Sequence, residues 1–208
     1  MTKTGWFITF EGPDGSGKTT ISKLVSQKLI EAGFDVIYTR EPGGSLIAEE
    51  IRDIILDPKN VAMDKKTEAL LYAASRRQHL VEKILPALQE GKIIICDRFL
   101  DSSLAYQGVG REIGIEEVYS INQFAIEGHF PDFTLFLDID AQTGLDRISD
   151  RSFKDRLDQE DLNFHNRVFE GYKTIVKLYQ ERMVIIDATG LVDDVVSIAY
   201  QAILDKVK

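Results

Sequence analysis

A single cysteine stands in 208 residues, which excludes an internal disulfide and any cysteine-rich zinc site and fits a reducing compartment. His79, His129 and His165 are scattered without ligand spacing, so no metal role is assigned to them. Positive charge is in deficit: 25 Lys and Arg face 34 Asp and Glu, for a formal charge of -9. Such a chain lacks the basic face that displaces counterions from nucleic acid, and no nucleic-acid partner is expected. Any phosphate it handles must meet a local cluster of cations. Nowhere do the roughly eighteen consecutive apolar residues of a membrane span occur, so no membrane partner is expected. The opening Met1-Thr2-Lys3-Thr4-Gly5 leads into an apolar run too brief for a secretory signal. A cytoplasmic protein is the expectation. No linker, repeat or heptad array divides the chain, and its length fits one domain over residues 1–208.

Short apolar runs alternate with segments of helical period. Trp6 to Phe10 reads as a buried strand, followed by a glycine-rich turn. Ile21, Leu24, Val25, Leu29 and Ala32 then fall on one helical stripe, with Gly33 as its stop. Further strands are predicted at Phe34–Thr39, Lys92–Cys96, Thr134–Leu137 and Met183–Ile186. Helices are predicted over Ala48–Leu56, over Thr67–Gln89 with an interruption at Pro86, over Ile115–Gly128, and over a closing stripe from Val192 to Val207. Strands separated by helices imply an α/β fold, a five-stranded parallel sheet covered on both faces. Cys96, inside an apolar strand, reads as a buried thiol and not a nucleophile.

Gly12-Pro13-Asp14-Gly15-Ser16-Gly17-Lys18-Thr19 satisfies G-x-x-x-x-G-K-[ST], and Thr20 follows. Glycines let successive backbone N–H groups converge on phosphate oxygens, and the next helix turns its positive N-terminus toward them. Lys18 would reach the β- and γ-phosphates, and the Thr19 hydroxyl would ligate Mg²⁺. The loop lies between a strand and a helix, the context the motif requires. A bound nucleoside triphosphate is therefore expected. No Asn-Lys-x-Asp guanine reader follows a later strand, which argues against a GTPase, and the short chain favours a small kinase over a motor ATPase.

Asp97-Arg98-Phe99 stands directly after the third strand, where parallel sheets bind ligands. Asp97 would hold the metal's hydration shell and Arg98 a second phosphate; an ordinary ion pair at a strand end is the alternative. Arg147, Arg151 and Arg156 follow within a polar stretch, of which residues 148–161 are predicted to form a lid carrying arginine to the transferring phosphoryl group. A plain charged helix surface is the alternative there. Lys18, Asp97, Arg98, Arg151 and Arg156 are the candidate catalytic residues.

Taken together, these segments resemble the bacterial thymidylate kinases, nearly end to end. The matching blocks are Phe10 to Thr20, Thr39-Arg40-Glu41-Pro42-Gly43-Gly44, Ala73-Ala74-Ser75-Arg76-Arg77, Asp97-Arg98-Phe99, and Asp101 to Gly108. Arg151 to Asp158 looks like the family's R-G-x-x-D-R-[IL]-[DE], with Ser152 in place of glycine. The resemblance implies transfer of the ATP γ-phosphoryl group to dTMP, giving dTDP and ADP, by a homodimer. It would put Arg98 and Arg52 on the dTMP phosphate and Asp14 at the 3′-hydroxyl. Tyr72 would stack on thymine, Arg76 would donate to O4, Gln107 and Ser103 would lie near N3, and Tyr106 would crowd the 2′ position. Phe99 replaces a usual tyrosine and Tyr72 a frequent phenylalanine, and both keep the ring. Glu41-Pro42 would be cis by the same resemblance. Kinases for another nucleotide or a nucleoside, and a non-catalytic nucleotide-binding module, are the competing readings.

Overall fold

The protein is described by a computed structural model over residues 5–148 and 155–207. Arg151 and Ser152 lie outside the described residues, as does much of the expected lid. Among the described residues, β1 (Trp6–Glu11), β2 (Val36–Arg40), β3 (Ile93–Asp97), β4 (Phe133–Asp138) and β5 (Met183–Asp187) form one parallel sheet in the order β2-β3-β1-β4-β5. The helices in chain order are α1 (Lys18–Glu31), α2 (Leu46–Leu56), α3 (Lys65–His79), α4 (Leu85–Gln89), α5 (Leu100–Ser103), α6 (Ile115–Ile126), α7 (Ala141–Ile148), α8 (Leu162–Leu178) and α9 (Val192–Val207). No described helix is long and apolar enough to cross a membrane.

Side chains alternate across the strands and divide the core between two faces. Ile8 and Phe10 of β1, with Ile93 and Ile95 of β3, pack against α1 and α9 through Ile21, Val25, Val196 and Ile203. Phe7, Ile94 and Cys96 point the other way, toward Leu104, Val118, Val168 and Tyr172. That double coverage is why β3 reads as a continuous apolar run. Cys96 is fully buried, and burial pushes its thiol well above the ordinary range. A nucleophilic role is thereby disfavoured, as expected.

Where boundaries differ from expectation, local hydrogen bonds explain the shift. Gly33, at φ 91°, closes α1 with its N–H on Ile30 O, and Phe34 N–H reaches back to Leu29 O at 3.1 Å. Phe34 thus belongs to the helix cap, and β2 starts two residues later. The helix expected up to Gln89 is broken by a π-helical turn at Leu80–Ile84, after which Pro86 sits in the first turn of α4. A wider turn accommodates a proline that lacks an N–H. A second π-helical stretch, Leu104–Gly110, continues α5, and Arg111 N–H closes it on Tyr106 O at 2.8 Å.

All five strands run the same way, so their carboxyl ends share one edge. Hydrogen bonding continues past them: Glu41 N–H donates to Asp97 O and Arg98 N–H to Phe10 O, both at 3.0 Å. The glycine loop, the Glu41 turn and Arg98 therefore leave the sheet in register beside one another.

Candidate active site

The glycine loop joins β1 to α1 as its motif demands. Gly15 and Gly17 have φ of 79° and 85°, and a Cβ on Gly15 would lie 2.0 Å from the Gly144 carbonyl oxygen of α7. Only glycine allows that approach. Helix α1 is capped by Gly17, which offers no side chain to its first N–H groups, and has no acidic residue in its first turn. Its first backbone N–H groups and its positive end are thus left for an anion. Lys18 Nζ folds over the loop, donating to Pro13 O at 2.7 Å and Ser16 Oγ at 3.2 Å. Burial, reinforced by Arg98, brings its pKa down to about 7 against the pull of Asp14, Asp97 and Glu11. The Thr19 hydroxyl donates to Asp97 Oδ2 at 2.5 Å, bringing together the two groups expected at a metal.

Arg98 is held in the left-handed region, with φ 69°, a conformation that costs about 1–3 kcal/mol in a non-glycine residue. Glu11, at the end of β1, over-determines it. That carboxylate accepts from Phe99 N–H at 2.7 Å, Ser102 N–H at 3.2 Å, Ser102 Oγ at 2.6 Å and Tyr172 OH at 3.0 Å. Burial foremost, then Asp101, raises the Glu11 pKa to about 7. The Arg98 guanidinium meets the carboxylate of Asp14, which also accepts from Tyr106 OH at 2.7 Å. Burial works against ionised Asp14, but Arg98, Lys18 and the Tyr106 hydroxyl outweigh it and hold the pKa at about 2.

A second set of side chains lies opposite. Fully buried Arg76 donates through Nε to Glu41 Oε2 at 2.8 Å, through Nη1 to Ser103 Oγ at 3.0 Å and to Asn122, and through Nη2 to Phe99 O at 2.9 Å. Of its five N–H groups, one Nη2 hydrogen is left for a ligand. Gln107 donates Nε2 to buried Glu68 at 2.9 Å. Arg52 reaches Pro42 O at 2.9 Å, and the Glu41-Pro42 bond is cis. A cavity of about 270 Å³ joins the two sets: Asp14, Lys18, Thr19, Thr20, Asp97 and Arg98 line one part, and Arg52, Tyr72, Arg76, Ser103, Tyr106 and Gln107 the other.

Arg156 does not face this cavity. It is buried, its Nε donating to Ile55 O at 2.8 Å and its Nη2 pairing with Glu68 at 2.5 Å. Its neighbours Asp155, Leu157 and Asp158 line the cavity instead. The expectation of a phosphate-directed Arg156 overlooked that buried Glu68 needs cationic partners. Arg147, just before the expected lid, reaches the glycine loop that Arg98 also contacts, with its Nη1 3.4 Å from Gly15 O and 3.1 Å from Ala188 O. Glu11, Glu41 and Glu68 were given no role by sequence reasoning. For Glu11 the available signal was a carboxylate ending an apolar strand.

The match with known proteins is extensive. A family model described as thymidylate kinase matches residues 10–198. A thymidylate kinase of Finegoldia magna is 62% identical over 191 residues, covering 92% of this chain and 94% of that protein. One of Enterococcus faecalis is 56% identical over 205 residues, covering 97% of each. The crystal structure of thymidylate kinase from Ehrlichia chaffeensis superposes with a TM-score of 0.79 at 35% identity, over 96% of this chain and 98% of that one.

Proposed function

The chain belongs to the thymidylate kinase family and phosphorylates dTMP to dTDP with ATP as donor, and we propose the following division of labour among its residues. Residues 12–20 and the N-terminus of α1 hold the ATP phosphates, with Lys18 supplying charge at the β- and γ-phosphates. Arg98 and Arg52 hold the acceptor phosphate, and Asp14 meets the 3′-hydroxyl. Tyr72 stacks on the base, and Tyr106 leaves no room for a 2′-hydroxyl. One cavity of about 270 Å³, shared by both sets, carries this reading, because donor and acceptor phosphates must meet in line.

Mg²⁺ fits the donor chemistry present: Mg²⁺ is commonly bound by one or two carboxylates together with substrate phosphates, and Thr19 with Asp97 would hold it there. It would neutralise charge on the donor phosphates. The acceptor is already an anion, so no general base is required. Arg98 keeps two mutually repelling phosphates close, and its fixed backbone and Asp14 partner set its position before either arrives. A lid over residues 148–161, with Arg151 on it, excludes water and adds positive charge to the transferring group; Arg156 serves the acceptor side through Glu68.

Base choice follows from polarity. Thymine offers O4 as acceptor and N3–H as donor, which match the free Nη2 hydrogen of Arg76 and the Gln107 carbonyl oxygen. Cytosine reverses both, and mismatched buried polar groups cost about 10⁴-fold or more. The thymine methyl offers only about 1–3 kcal/mol against uracil. The deciding experiment offers a panel of nucleoside monophosphates and nucleosides with Mg-ATP and measures diphosphate product. Strong preference for dTMP, modest rejection of dUMP and strong rejection of dCMP are expected; comparable turnover of dTMP and dCMP would refute the base assignment. We further propose a homodimer, supported by exposed Leu70 on α3 and Phe124 on the adjoining α6, and a cytoplasmic location, which the single free cysteine fits.

A further inference from the structure

Glu68 lies on α3, one turn before Tyr72, and has no accessible surface. Its carboxylate takes Gln107 Nε2 at 2.9 Å, Arg111 Nε at 3.2 Å from each oxygen, and Arg156 Nη2 at 2.5 Å. Two guanidiniums therefore flank one buried acid. Burial alone would raise its pKa, but Arg111, Gln107 and Arg156 together hold it below the ordinary carboxylate range.

An ionised carboxylate accepts hydrogen bonds and donates none. Gln107 has two chemically opposite ends, and only its NH₂ end can face Glu68. The carbonyl end is consequently the one presented to the cavity that Gln107 lines with Tyr72 and Ser103. Turning the amide to suit the bare N3 of cytosine would set its carbonyl oxygen against a buried negative charge. We propose that Glu68 is a positioning residue for base selectivity, locking the Gln107 amide in the orientation that accepts from a pyrimidine N3–H. The proposal rests on the assignment of Gln107 to the base edge. Arg156, from the segment that closes the acceptor side, completes the same carboxylate and keeps it charged.

Glu68→Gln is the direct test, because a neutral amide there can offer Gln107 either a donor or an acceptor. The ratio of kcat/KM for dTMP over dCMP is expected to fall at least tenfold, with KM for ATP unchanged. Glu68→Asp, still acceptor-only, is expected to keep most of the ratio. Binding of dTMP and dCMP measured by calorimetry, without ATP, is expected to show the same loss of discrimination. A merely structural Glu68 would lower both nucleotides alike, and an unchanged ratio in folded E68Q overturns the proposal. Should E68Q not fold, the charge-compensated E68Q/R111Q carries the same comparison. Gln107→Ala separates the two levels. If it leaves the ratio unchanged, the base-edge assignment fails and this proposal with it; if it moves the ratio while E68Q does not, only the role of Glu68 falls.

Discussion

Lys18 is buried over its own loop, bonded to the Pro13 carbonyl, and titrates near 7 because burial and Arg98 oppose its charge. A bound triphosphate brings negative charge to within its reach and must raise that pKa. The sign follows directly. At pH 8 only about one in ten free molecules carries the Lys18 proton, so ATP binding takes up nearly one proton; at pH 6 Lys18 is already charged and contributes no uptake. Affinity for ATP is therefore expected to weaken as pH rises above about 7. Titration calorimetry of Mg-ATP at pH 8, in buffers of different ionisation enthalpy, reads the uptake as a slope. The slope should fall sharply in Lys18→Ala, leaving at most the contribution of Glu11, and the variant should stay folded and lose about 10²-fold or more in turnover. A buffer-independent enthalpy for the unaltered protein would contradict the assignment. Lys18 was legible from its motif, whereas its lowered pKa was not. That shift arises first from burial and then from Arg98, which lies far along the chain and is brought to the loop by the sheet.

The glycine loop behaves as an element in which each glycine has its own reason. At Gly15 a methyl group would meet the Gly144 carbonyl at 2.0 Å, and φ is 79°. At Gly17 φ is 85°, but the nearest atom outside the turn is Ile21 Cγ1 at 3.8 Å. Gly17→Ala is thus expected to cost only the left-handed penalty of about 1–2 kcal/mol, while Gly15→Ala adds a backbone clash and costs more. Urea denaturation of the two variants without nucleotide orders them, and equal losses would show that α7 yields freely. Elements with regular patterns were readable: β3 by its apolar run and α9 by its stripe. The stretch Leu100–Gly110 was not assigned because its inward side chains, Ser103, Tyr106 and Gln107, are polar or amphipathic and face a cavity in place of a core. Helix α8 is not legible in the sequence although Phe164, Val168, Tyr172 and Ile175 bury one stripe, since charged residues and Gly171 dilute the signal. Glu68 resembled a surface acid because its partners Arg111 and Arg156 are 43 and 88 residues away.

At the scale of the whole molecule, the covered parallel sheet was legible because strands alternate with helices, whereas the strand order β2-β3-β1-β4-β5 was not, since it depends on which way each crossover goes. The quaternary state depends instead on what the surface leaves uncovered. Helices α3 and α6 lie side by side, joined where Arg77 Nη1 donates to Ala125 O at 3.2 Å. Leu70 and Phe124 project from these helices, and Phe124 is 89% exposed. An aromatic ring so exposed, on a helix packed against one that exposes a leucine, marks an interaction surface, and self-association is the occupant the family resemblance implies. A two-fold contact there would bring the acceptor-side helices of two subunits together. It would stiffen α3, which carries Glu68, Tyr72 and Arg76. Phe124→Asp is accordingly expected to halve the mass seen by sedimentation at micromolar concentration, leave the circular dichroism spectrum unchanged, and make thermal stability independent of protein concentration. Its effect on turnover should appear in the KM for dTMP before that for ATP, because the affected helix lines only the acceptor half of the cavity. A monomer before substitution, or an unchanged mass after it, would remove α3 and α6 from the interface.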